Sequence, residues 1–251
     1  MSRKRLFILL ALGALFLFRL WYGVHSEFWF EDERQIYLIG LKYYTTGAYP
    51  VYGPDVVYTK TQIAGGMQGL LVGAPFHLLP IPEAPYILLN AMSFAALCVF
   101  AWYCSRRFPK LPVWFVWMFV LGAAWTMNFG TRVVNPSYVL PFSLLFFISA
   151  FDMLPVFTTQ LLPRRLPFFL MGLGITAIMQ LHLSWVLLVP YCIAALVWKS
   201  YRSPSFKQAF SVNILPLAAG LAAGAITLIP TWLNAAYSPT GGAEKNIVFN
   251  P

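Results

Sequence analysis

Long apolar runs, broken by short basic or turn-rich segments, set the pattern of this chain. A membrane crossing needs about 20 consecutive apolar residues. Runs of that kind fall near Leu6 to Val24, Ala84 to Cys104, Val113 to Gly130 and Tyr138 to Leu154, with further runs near Leu166 to Met179, Leu183 to Trp198 and Val212 to Trp232. The pattern predicts an all-α polytopic membrane protein with about seven transmembrane helices. The fifth and sixth runs nearly abut at Gln180-Leu181-His182, so one long helix there is the competing arrangement. A hairpin is favoured because a single helix would bury Gln180 and His182 in mid-membrane.

Between the first two runs, from residue 25 to 83, the periodicity changes. Glu31-Asp32-Glu33-Arg34 precedes Ile36, Tyr37, Ile39 and Tyr43, a helical spacing with the acids in the first turn and an end near Gly47. Acids favour a helix N-terminus on electrostatic grounds alone, so that placement has a plain structural explanation as well as a functional one. Ile63 to Leu79 is apolar but carries Gly65, Gly66, Gly69, Gly73 and Pro75, which suits a re-entrant or interfacial helix packed against protein. The spacings Gly65 to Gly69, Gly69 to Gly73 and Gly220 to Gly224 allow close helix approach.

Charge fixes the expected orientation. Arg3, Lys4, Arg5, Arg106, Arg107, Lys110, Arg164, Arg165, Lys199, Arg202 and Lys207 fall on one side of the alternating runs, against Arg34, Lys42, Lys60, Arg132 and Lys245 on the other. Cytoplasmic loops collect Lys and Arg, so the N-terminus is expected in the cytoplasm, with the long loop outside. The run after the basic start continues through Leu20, Trp21 and Tyr22 without a small-residue cleavage site, which reads as a signal anchor.

Hydrophobic residues make up 59% of the 251 positions and charged residues 10%, too little polar surface to coat a soluble domain. The formal charge of +9 is scattered, so no nucleic-acid partner is expected. Cys98, Cys104 and Cys192 lie in or beside apolar runs without metal-ligand spacing and read as buried hydrophobes.

Six of the eight acids, Glu27, Glu31, Asp32, Glu33, Asp55 and Glu83, lie in or directly beside the long outer loop, which is also rich in aromatics from Phe28 to Tyr58. A long ordered loop usually carries function. The turn-rich Gly47 to Pro54 follows, and Arg132-Val133-Val134-Asn135-Pro136-Ser137 lies at the outer mouth of the third and fourth runs. Asn135-Pro136 is expected to start a helix, and its proline excludes Asn135 as a glycosylation acceptor.

Taken in order, these features resemble the GT-C glycosyltransferases that use polyprenyl-phosphate sugars. The branch concerned is similar to protein O-mannosyltransferases, aminoarabinose transferases and lipid-A-core sugar transferases. The resemblance rests on the basic start and first span, the aromatic-Glu31-Asp32-Glu33 run, the Gly47 to Pro50 turn, the Gly-rich segment, Arg132 to Ser137, and Gln180 to Ser184. It implies a single GT-C-like transmembrane module over residues 1–251, with interfacial helices in the outer loop 25–83 and a C-terminal part beyond. It further implies an inverting membrane glycosyltransferase that moves a sugar from a polyprenyl-phosphate donor to a glycan, lipid or protein acceptor on the outer side of the plasma membrane. The catalytic carboxylate maps to Asp32, with Glu33 beside it. The aminoarabinose transferases' basic-proline motif is absent; Lys60-Thr61-Gln62 occupies its place.

Phosphate departure needs cations or donors, for which Arg132, Lys60, Arg34 and His182 are the candidates, with Asn135 and Tyr58 as further substrate contacts. Arg132 at an interface could equally snorkel to water, and His182 could satisfy backbone groups. No cofactor is expected; some relatives hold a divalent cation through outer-loop acids, but no spaced Asp-x-Asp occurs here. Two other functions fit the pattern: a transporter or flippase for lipid-linked substrates, and a truncated, non-catalytic envelope-assembly protein.

Overall fold

A computed structural model of the chain describes residues 3–26, 31–56, 61–154 and 159–233. Helices dominate it. The first, α1 (Arg3–His25), leads to α2 (Glu31–Thr46), whose acidic first turn and end beside Gly47, at φ +68°, are as the sequence predicts. Ile36 and Tyr37 point inward from α2, as the spacing requires.

A two-stranded antiparallel hairpin follows, β1 (Tyr52–Val56) with β2 (Thr61–Ala64), pairing Tyr52 with Ala64 and Asp55 with Gln62. The helical reading of the loop did not foresee these strands. The Gly-rich stretch then splits into α3 (Met67–Gly73) and α4 (Pro75–Leu78), so the apolar run from Ile63 begins in a strand and supplies only short helices. Seven residues of helix extend about 10 Å, far less than a bilayer core of about 30 Å.

The remaining elements are α5 (Ala84–Arg107), α6 (Val113–Gly122), α7 (Ala124–Thr131), α8 (Val139–Met153) and α9 (Leu166–Met179). A 3-10 turn (Leu183–Leu187) leads into α10 (Val189–Tyr201), α11 (Phe206–Ala209), α12 (Leu215–Ala225) and α13 (Ile229–Leu233). A π-turn joins α11 to α12 and a 3-10 turn joins α12 to α13.

Among the described residues, four helical stretches are long and apolar enough to cross a membrane: 5–25, 84–107, 183–201 and 206–233. A fifth exists if α6 and α7, bent by 48° at their junction, form one broken crossing. The apolar helices α8 and α9 have 15 and 14 residues, or about 22 and 21 Å, shorter than a perpendicular crossing. The chain breaks at Gln180 to His182, which excludes one long helix through that region. Asn135-Pro136 is a cis peptide inside a turn and does not open a helix; hydrogen bonds from Ser137 N to Val134 O and from Val139 N to Pro136 O carry the chain through successive turns before α8 begins.

Close backbone approach welds neighbouring helices. A Cβ on Gly73 would lie 2.5 Å from Gly40 O, so α2 and α3 touch along their glycines. Gly172 and Gly220 bring α9 and α12 together in the same way, and Gly224 meets Thr176. An apolar cluster of Ile36, Tyr37, Val72, Phe76, Leu89, Val133, Tyr138 and Leu181 seats α2, α3 and α4 on the bundle. At the opposite end Asp152 is fully paired: Arg107 and the Tyr103 hydroxyl donate to Oδ1, as does Leu161 N, while Leu162 N donates to Oδ2. This clamp ties the C-terminal ends of α5 and α8.

Candidate functional site

Successive residues on an α-helix are turned by about 100°, so adjacent acids can face different surroundings. The first turn of α2 shows this. Glu33 is buried, at 2% exposure, and its Oε1 lies 3.3 Å from Arg132 Nη2. Asp32 is exposed and faces an open groove of about 390 Å³ on the other side of the helix, with Glu31, Arg34, Lys42 and Asp55 around it. The sequence-predicted catalytic pair is therefore divided between two faces.

Arg132 sits between α7 and α8, held on both sides. Its Nη1 donates to Asn128 Oδ1 at 3.3 Å, and Tyr22 OH donates to the same oxygen at 3.5 Å. A chain of polar contacts thus runs from α1 through α7 to α2. Gly23 makes it possible, because α1 lies so close to the Thr131 carbonyl that no side chain fits there. Glu33 Oε2 is buried with no hydrogen-bond partner among the described residues, and the same holds for Asn135 Oδ1 and Ser137 Oγ in the adjoining turn. Buried oxygens without partners are costly, and a ligand hydroxyl or an ordered water would satisfy them.

His182 does other work. Its Nδ1 accepts a hydrogen bond from Ser184 N at 3.1 Å and so caps the turn before α10. That bond needs an unprotonated Nδ1, and burial lowers the imidazole pKa accordingly. Lys60 and Tyr58 lie outside the described residues. Arg34 lines the groove beside Asp32. Among the described residues, no group of three or more His, Cys, Asp or Glu side chains gathers to hold a metal ion.

Lys42 and Asp55 join the groove although sequence reasoning did not select them. Lys42 was legible: Glu31, Gln35, Leu38 and Lys42 recur at helical spacing along one face of α2. Asp55 reaches the groove only because the hairpin folds back along α2, and no local signal announces that.

Arg19, at the membrane level of α1, is fully buried and donates to the carbonyls of Leu121 and Thr126, both at 2.8 Å. It bridges the break between α6 and α7, a pairing inside the bundle.

Comparison with protein-family models, curated proteins and solved structures finds no match for this chain. What the site can do therefore rests on its own chemistry. It offers an exposed carboxylate on an open groove, flanked by cations, beside a buried carboxylate–guanidinium pair.

Proposed function

We propose that the protein is a membrane glycosyltransferase of the GT-C kind, moving a sugar from a polyprenyl-phosphate donor to an acceptor hydroxyl on the outer side of the plasma membrane. In this reading α8 and α9 complete about seven crossings with the N-terminus in the cytoplasm, short helices being accommodated by local bilayer thinning.

The observation that carries the proposal is the division of labour in the first turn of α2. Asp32 stands free in the groove as the base, while Glu33 and Arg132 are locked together behind it. Asp32 takes the proton from the acceptor hydroxyl as its oxygen attacks the anomeric carbon, and the bond from that carbon to the phosphate oxygen breaks with inversion. Base assistance of this sort typically contributes about 100- to 10,000-fold in rate. The departing polyprenyl phosphate needs positive charge, and Arg34 and Lys42 are the described cations that line the groove beside Asp32. An apolar groove of about 330 Å³ between α4 and the first turns of α5, with Leu78, Leu79, Ile87 and Leu88 among its walls, would take the prenyl chain.

The decisive assay uses the full chain in proteoliposomes with polyprenyl-phosphate sugars and an envelope-glycan extract as acceptor. Transfer is expected from the unaltered protein, falling at least about 100-fold in Asp32→Asn at equal expression. Undiminished transfer by Asp32→Asn would sink the assignment.

A further inference from the structure

The groove at Asp32 does not end there. A second cavity of about 280 Å³ continues along α2, sharing Ile39 and Lys42 with the first, and its far wall carries Tyr43, Tyr49, Tyr52 and Gln62. From Asp32 to Tyr43 the helix rises about 16 Å, longer than a single sugar ring.

The tyrosines are set in place. Tyr49 lies on the backbone at Gly66, where a Cβ would come within 2.9 Å of its Cε1, and its ring meets Tyr43 edge-on at 6.4 Å. The segment beneath is fixed by buried Pro50, packed against Gly69, and by a hydrogen bond from the Thr231 hydroxyl to Val51 O. Burial, and then the neighbouring Tyr43, pushes the Tyr49 phenol pKa up.

Rigid aromatic faces beside an amide and an ammonium make a surface for pyranose rings. Apolar C–H faces stack on the rings, while hydroxyls find Gln62 and Lys42. An acyl or prenyl chain would gain nothing from those polar groups and has its own apolar groove at α4 and α5.

We infer that the tyrosine-lined end is a saccharide subsite for the second and later rings of an oligosaccharide acceptor whose terminal hydroxyl lies at Asp32. This rests on the glycosyltransferase reading for the word acceptor. The saccharide seat itself rests on Tyr43, Tyr49, Tyr52 and Gln62. Contacts remote from the reacting centre also supply the orientation that transfer requires.

The test is an array of oligosaccharides of one to six rings, probed with the full chain in labelled nanodiscs. At least one series should bind more tightly as ring number rises from one to three. Affinity should fall about tenfold in Tyr49→Ala and persist in Tyr49→Phe, which keeps the stacking face and serves as the folded control. Absence of binding to every series, or binding that Tyr49→Ala and Tyr52→Ala leave untouched, would overturn the inference. Array binding without transfer in the proteoliposome assay upholds the subsite and removes the transferase. Transfer to single-ring and three-ring acceptors at equal rates overturns the subsite alone.

Discussion

Glu33 and Arg132 behave as a unit because a buried charge tolerates its surroundings only while its partner is present. Arg132→Ala leaves the Glu33 carboxylate buried with no cation to pair it. This should cost roughly 3 kcal/mol, whereas Glu33→Gln combined with Arg132→Met should recover most of that loss. Thermal unfolding in nanodiscs reads both, and equal destabilisation by the single and double variants would show that the cost does not come from the unpaired Glu33 charge. His182 gives a pH signature. Its folded pKa is lowered from the ordinary value of 6.5, so the unfolded chain binds the proton more readily. Stability from this group is therefore complete above about pH 6.5 and is lost as pH falls below it. Protonation at Nδ1 also breaks the cap on Ser184 N. The melting temperature should drop on acidification from about pH 7 to pH 5, and His182→Asn, which can still accept that bond, should flatten the slope. An unchanged slope would place the acid sensitivity elsewhere.

Among the elements, the contact of α2 with α3 decides where Asp32 sits. Gly73→Val would drive a side chain into the Gly40 carbonyl and Tyr43, part the two helices and tilt the groove. Destabilisation of about 1 to 3 kcal/mol is expected, measured as a lower melting temperature, with Gly13→Val, which meets no neighbour, as the matched control. The helix itself was legible because Ile36 and Tyr37 fall at helical spacing and Gly47 supplies the left-handed stop. The glycine spacings likewise announced close packing. The hairpin was not legible: β1 contains Gly53 and Pro54, poor strand residues, and its pairing with β2 depends on tertiary seating that no local pattern encodes. For the same reason the sequence, which shows Asp55 only as one of the loop's acids, does not place it in the groove; helix phase turns Asp32 and Glu33 apart, but which of the two is buried depends on packing. Asn135-Pro136 misled because a proline that often opens helices here lies in a turn.

At the scale of the whole molecule, the Arg107–Asp152 clamp lies at one end of the bundle and the Glu33–Arg132 pair at the other. Cysteines introduced into a cysteine-free background test the orientation. Ala48→Cys should react with an impermeant maleimide from outside, and Lys110→Cys only after permeabilisation; the reverse labelling would invert the topology. Both positions are exposed. The hydrogen bond from Thr231 to Val51 O spans a separation of 180 residues. On a ribosome adding about 5 to 20 residues per second, that separation is on the order of 10 to 40 s. During that interval the loop between α1 and α5 has been made but lacks the contact that fixes its tyrosine segment. The nascent protein would thus carry a half-built loop until α13 has been made, a window in which that loop is open to proteolytic quality control.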